Sequence, residues 1–208
     1  MTTNFLFIRH GAHDYLGRAI AGRLAGVHLN ELGRQQAEHL AEKLSLLPVD
    51  AIFSGPLERV RETAEPICRQ FGLSSQVDEG FTEIGLGGWE DRPFTELAGE
   101  PLWDRFNRFR SSTAADGGEL MLEVQARAVR KLIELRGQYR FVVIVTHGDV
   151  VRAVMAHFLG IHLDLFFRLE IDPASLSLVE LGDDFARVRL LNAPGEGSPL
   201  VLPAIRHQ

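Results

Sequence analysis

Two histidines stand after apolar runs and before a glycine: Phe5-Leu6-Phe7-Ile8-Arg9-His10-Gly11, and Phe141-Val142-Val143-Ile144-Val145-Thr146-His147-Gly148. Uninterrupted apolar runs of this kind read as strands buried on both faces, as in a parallel sheet. Such strands release their next residues at the carboxyl edge of the sheet, where open α/β folds build their sites. A third run, Ala51-Ile52-Phe53-Ser54, feeds a helix whose first turn carries Arg59. If the strands are parallel neighbours, Arg9, His10, Arg59 and His147 share one small volume. Guanidiniums grip phosphate oxygens in a planar fork and stay charged. A neutral imidazole can attack phosphorus while a second donates to developing charge. The chemistry these residue types suit is phosphoryl transfer, which depends mostly on positioning and charge stabilisation. Spacing alone leaves Arg61 as a competitor to Arg59, since the two point to different sides of the helix.

The elements that must position these groups follow from periodicity. Gln35 to Leu47 is helical, with Asn30 as N-cap and Pro48 as its stop. Leu57 to Phe71 is helical up to Gly72, with Pro66 inside it as a site for a kink or break. Ser74 to Gly80 reads as an edge strand with a turn, and Glu83 to Trp89 is too glycine-rich for a regular element. Pro93 to Arg110 is amphipathic and predicts a helical cap, followed by a mobile loop at Ser111 to Gly118. The aromatics Trp103, Phe106 and Phe109 in that segment read as core, with substrate contact as the competing role. A long helix spans Leu120 to Tyr139, and Asp149 suits the N-cap of the helix ending at Gly160. Leu176 to Leu181 and Ala186 to Leu191 form a hairpin around Gly182-Asp183-Asp184, and Asn192 to Gln208 reads as a loosely held tail.

A chain of 208 residues that is 45% apolar predicts one domain spanning 1–208, with a cap insertion at about 89–118. The net charge of −6 argues against a general nucleic-acid binder. The single cysteine, Cys68, excludes an internal disulfide and a cysteine-rich zinc site, and its place on an apolar helix face predicts packing. No segment reads as membrane-spanning or as a secretory leader, so a cytoplasmic protein is expected. The expected partner is a small phosphorylated substrate, with no nucleic acid and no membrane; a homodimer is left open.

At these residues the chain resembles the histidine phosphatase superfamily, also called the phosphoglycerate mutase-like family. Arg9-His10-Gly11 is similar to its opening signature, and Val145-Thr146-His147-Gly148 to its second-histidine segment. Ser54-Gly55-Pro56-Leu57-Glu58-Arg59 through Thr63-Ala64 resembles a third segment and selects Arg59 over Arg61. Thr82-Glu83 through Trp89-Glu90 resembles a fourth, and Leu29 to Ala37 the helix opening between them. Five pieces in the family's order, from Phe5 to Gly160, make the resemblance specific.

The resemblance implies a three-layer α/β/α fold with a mostly parallel central sheet and a small helical cap. It implies that His10 accepts the phosphoryl group, that Arg9, Arg59 and His147 hold it, and that Glu83 protonates the leaving oxygen and then helps activate water. It implies no metal and no cofactor; His10 and His13 are spaced like two ligands but lack further ones. The activity implied is a metal-independent phosphomonoester hydrolase. A phosphoglycerate mutase is the first alternative, disfavoured by the short cap, and a non-catalytic phospho-ligand or protein-binding module is the second. The chain departs from the family after Gly11: where many members carry Glu-Thr-x-Trp-Asn, this run is Ala12-His13-Asp14-Tyr15-Leu16. Arg23 and His28 are candidate replacement donors, Gly148 a candidate pocket residue, and Gly117-Gly118-Glu119 resembles a family turn read as a loop.

Overall fold

Strands with no polar face are stable only between two covering layers, and the computed structural model, which describes residues 1–202, is built that way. Strands β1 (Thr3–Arg9), β2 (Ala51–Ser54), β3 (Ser75–Val77) and β4 (Phe141–Thr146) pair in parallel. β5 (Leu176–Leu181) and β6 (Ala186–Ala193) add an antiparallel hairpin beside β1, giving the order β3-β2-β4-β1-β5-β6. The helices are α1 (Glu31–Leu44), α2 (Glu58–Phe71), α3 (Phe94–Leu97), α4 (Pro101–Arg108), α5 (Met121–Leu135) and α6 (Gly148–Leu159).

Alternate residues of one strand feed opposite layers. Phe5 and Phe7 of β1 join Phe53, Val142 and Ile144 under α5, α6 and the cap. Leu6 and Ile8 join Ile52, Val143 and Val145 under α1 and α2. All four β1 side chains are fully buried. At roughly 1.5–3 kcal/mol for each large apolar side chain removed from water, this double burial is what holds β1 in register.

Local chemistry adjusts several boundaries. α1 starts at Glu31, earlier than its apolar period suggests, because the Asn30 side chain accepts from Gly33 N. α2 continues through Pro66 and stops at Gly72, whose φ of 63° is left-handed. The cap is two helices instead of one: Gly99 turns the chain at φ 85° and Pro101 restarts it as α4. α5 is shorter than expected and ends before Gly137, another left-handed position at φ 81°. Asp149 does not cap α6; the N-cap position is His147, and Asp149 turns to Arg110 and Arg152 instead.

Two segments expected to be loose are tied down. In 111–118, Ser111 N donates to Asp164 Oδ1 at 2.8 Å, and Thr113 and Ala115 are buried. In the tail, β6 itself extends to Ala193, Leu200 N donates to Lys43 O at 2.7 Å, and Leu200 and Leu202 pack on the α1–α2 side. Positions 203–208 of that expectation lie outside the described residues. Among the described residues no helix is long and apolar enough to cross a membrane.

Candidate active site

The parallel register pairs Arg9 with Thr146, so the next residues, His10 and His147, emerge side by side from β1 and β4. Their ring centroids are 5.2 Å apart. β2 leaves the sheet beside them, and Gly55 N donates to Val145 O before α2 presents Arg59 in its first turn. Glu83 arrives from the segment after the 3-10 turn Glu79–Phe81, which Thr146 Oγ1 ties to β4 by donating to Phe81 O at 2.6 Å. The close approach of the loop after His10 to α1 requires glycine: a Cβ on Gly11 would lie 2.7 Å from Gly33 O.

His10 is buried, and its Nδ1 faces Gly11 O at 2.8 Å. A carbonyl only accepts, so Nδ1 carries the proton and Nε2 holds the lone pair. Burial pushes the His10 pKa well below 6.5, and the Arg59 and Arg9 charges push the same way, so the ring is neutral. Arg59, 1% exposed, donates from Nη2 to Gly22 O at 2.7 Å and lies 3.3 Å from His147 Nδ1. A guanidinium only donates, which places the His147 proton on Nε2. Arg9 is anchored by Nη1 to Ile171 O at 2.7 Å.

Arg9 Nε, Arg59 Nε and Nη1, and His147 Nε2 are buried without an acceptor in the protein. An unsatisfied buried donor costs about 1–3 kcal/mol, more when charged, so four on gathered side chains mark an anion site. The N-terminus of α6 adds its partial positive charge beside His147.

Glu83 Oε2 lies 3.5 Å from His147 Nδ1, and Oε1 accepts from Ile84 N at 3.0 Å. Burial, then the Asp149 charge, raise the Glu83 pKa from 4.5 to about 7, against the pull of Arg59. Burial alone would raise Asp149 as well; there the Arg110 and Arg152 guanidiniums win and hold its carboxylate below the ordinary value. Two carboxylates are thus driven apart, one suited to carrying a proton near neutral pH.

These groups open into a pocket of about 390 Å³. Its lining includes Arg110 and Arg152, which motif and spacing did not pick out, and His13 and Asp149, which they singled out in other roles. His13 is buried with its ring centroid 5.0 Å from His10, and burial followed by Arg59 lowers its pKa to about 4, so it is neutral. Leu16 does line the outer wall, as does Gly148, whose missing Cβ leaves room for Arg9 Nε at 3.2 Å. The two replacement donors lie elsewhere. Arg23 turns away to the Glu83 carbonyl and to Glu119, and His28 is at the surface, held by Glu62. Of the cap aromatics, Phe106 is fully buried and lines the pocket, Trp103 lines it half-buried, and Phe109 is exposed. Among the described residues no group of three or more His, Cys, Asp or Glu side chains is arranged to hold a metal ion.

Fold and site define an α/β protein whose anion pocket is centred on a neutral, buried histidine at the strand ends. The chain belongs to the histidine phosphatase superfamily (branch 1), whose family model matches residues 5–194. It is 29% identical to phosphoserine phosphatase 1 of Hydrogenobacter thermophilus, covering 85% of each chain. It is 27% identical to the 2,3-bisphosphoglycerate-dependent phosphoglycerate mutase of Thermoplasma acidophilum, covering 90% of this chain and 91% of that one. A mycobacterial glucosyl-3-phosphoglycerate phosphatase in complex with VO3 has the same fold, with a TM-score of 0.81, 30% identity, and coverage of 92% and 99%. The chain spans about half, 54%, of the bifunctional protein Rv2228c of Mycobacterium tuberculosis, to which it is 30% identical over 93% of its own length.

Proposed function

We propose that this chain is a phosphomonoester hydrolase that works through a phosphohistidine on His10 and acts on a small phosphorylated metabolite. The observation that carries the reading is the free Nε2 of a neutral His10 beside four buried donors without acceptors. A phosphate monoester bound by Arg9, Arg59 and His147 presents its phosphorus to that lone pair. The N–P bond forms as the P–O bond to the leaving alcohol breaks, and protonated Glu83 gives its proton to the departing oxygen. Water then attacks the phosphohistidine, Glu83 takes its proton, and the N–P bond breaks to release orthophosphate and restore His10. Nδ1 keeps its proton throughout, held by Gly11 O. Burial keeps Glu83 protonated to about pH 7, which suits the first half-reaction.

The relatives carry phosphatase and mutase names alike, so the test must separate hydrolysis from transfer. Phosphate release from a panel of phosphate monoesters, with chelator present, measures hydrolysis directly. The expected result is turnover that chelation leaves unchanged. Interconversion of phosphoglycerates without phosphate release would favour the mutase.

A further inference from the structure

Beside the anion-binding groups, the pocket lining combines aromatic and apolar side chains with a small charged cluster. Its apolar and aromatic lining includes Tyr15, Leu16, Phe94, Trp103, Phe106 and Phe167. Arg110, Asp149 and Arg152 also line the pocket and are paired with one another, with Arg110 Nε left buried without an acceptor. Arg110 Nη1 and Arg152 Nη1 donate to the two oxygens of Asp149 at 3.1 and 3.0 Å. Arg110 Nη2 also donates to Asn107 Oδ1 at 3.1 Å, and Arg152 Nε to Leu169 O at 2.9 Å. Tyr15 spends its hydroxyl on Asp91 at 2.8 Å.

The Arg110 guanidinium carbon lies 3.8 Å from the Phe106 ring centroid and 4.6 Å from that of Phe167, and Phe94 and Trp103 line the cavity beside them. Phe94 is 39% exposed and Phe167 43%, although both lie on the pocket. Trp103 is held at the wall by its neighbours: edge-on to Trp89 at 5.2 Å, tilted to Phe94 at 6.2 Å and stacked near Phe106 at 5.9 Å. A ring fixed in this way offers contact area without losing much freedom on binding. A volume of about 390 Å³ holds one ring and a short linker beside a phosphate.

We propose that this aromatic lining is a subsite for a flat apolar group, and that the substrate is the phosphate monoester of an alcohol bearing an aromatic ring near the ester oxygen. A polyol placed against the Phe94 and Trp103 rings would leave hydroxyls there without partners. The inference rests on the phosphomonoesterase reading of the anion site and names the substrate class for it.

Benzyl phosphate, glycerol 3-phosphate and O-phosphoserine test it, because all are esters of primary alcohols and differ mainly in what the walls meet. Benzyl phosphate is expected to have about tenfold or greater kcat/KM over the other two, expressed mostly in KM. Phe94→Ala and Trp103→Ala are each expected to narrow that ratio. Phe94, exposed on a short helix, is the substitution least able to disturb folding, and thermal melts check both variants. Equal efficiencies, or a preference for either polar ester, overturn the subsite while leaving the phosphatase reading intact. A benzyl preference that survives both substitutions overturns its assignment to this wall. If none of the three is cleaved and His10 takes no phosphoryl group, the reading of the anion site fails and the subsite with it.

Discussion

Arg23 donates from Nε to the main-chain carbonyl of Glu83 at 2.8 Å. Arg127 reaches the same oxygen from Nη2 at 3.1 Å, and Glu119 joins the two guanidiniums through ion pairs at 2.7 and 2.9 Å. Glu119 Oε2 also accepts from Gly85 N at 3.4 Å. This bracket fixes the backbone that carries the proposed proton donor and adds no group to the anion pocket. Glu119 is therefore a positioning residue. Glu119→Ala is expected to lower kcat for an alkyl phosphate by up to about 100-fold and to spare p-nitrophenyl phosphate, whose leaving group needs little protonation. Steady-state kinetics with both esters measures this; equal losses on the two would assign Glu119 to structure alone.

The pH dependence follows from two opposite shifts. Burial, with Arg59 and Arg9, holds His10 well below 6.5, so the nucleophile stays neutral as pH falls through the usual histidine range. Burial and Asp149 hold Glu83 at about 7, so the acid is lost as pH rises. For an alkyl phosphate, kcat is expected to fall as pH rises above about 7. Glu83→Gln is expected to lose about 100-fold or more in rate and to lose that limb. A pH–rate profile of kcat that rises through neutrality would contradict the assignment.

The same shift makes a stability prediction of definite sign. The folded pKa of Glu83 lies above its unfolded value, so between about 4.5 and about 7 the folded chain binds more protons than the unfolded one. Stability is lost as pH rises through that window, and the loss is complete above it. Glu83→Gln removes the charge, so its stability relative to the unsubstituted protein is expected to rise from about pH 4 to about pH 8, by roughly 1–3 kcal/mol. Denaturant melts at the two pH values measure it, and a difference that does not change with pH would be the contrary result.

Backbone contact between Gly11-Ala12 and Gly33 sets the position of His10. A Cβ at Gly33 would lie 2.0 Å from Ala12 O, and that atom is backbone, so it cannot swing aside. Gly33→Ala is expected to cost roughly 1–3 kcal/mol of stability and to depress kcat by displacing the loop after His10. A variant with unchanged melting and turnover would show that α1 does not position the nucleophile.

How much of this was legible depends on the range of the interaction involved. The apolar runs of β1 and β4 declare strands buried on both faces, and their shared His-Gly endings place His10 beside His147 once the strands are parallel. Glu83 has no such signature. Its glycine-rich segment has no period, and only the motif resemblance singled it out. Arg110 could not be found, because its role depends on the cap folding back so that Arg110 meets Asp149 across 39 residues of sequence. His28 and Arg23 misled for the same reason: the carboxylates that hold them, Glu62 and Glu119, are remote in the chain. Asp149 looked like a cap since local rules favour one there, and pairing with Arg110 from the cap and with Arg152 one turn along the same helix outweighed that preference.

The proposed chemistry turns on His10 Nε2 accepting the phosphoryl group. The direct test is to mix the protein with a hydrolysable monoester, quench in base within the first turnover, and locate added phosphate by intact mass and peptide mapping. The expected result is one phosphoryl group on the peptide carrying His10, stable in base and lost in acid, and none in His10→Asn. Full turnover by His10→Asn, or a phosphoryl group on a different residue, would contradict it.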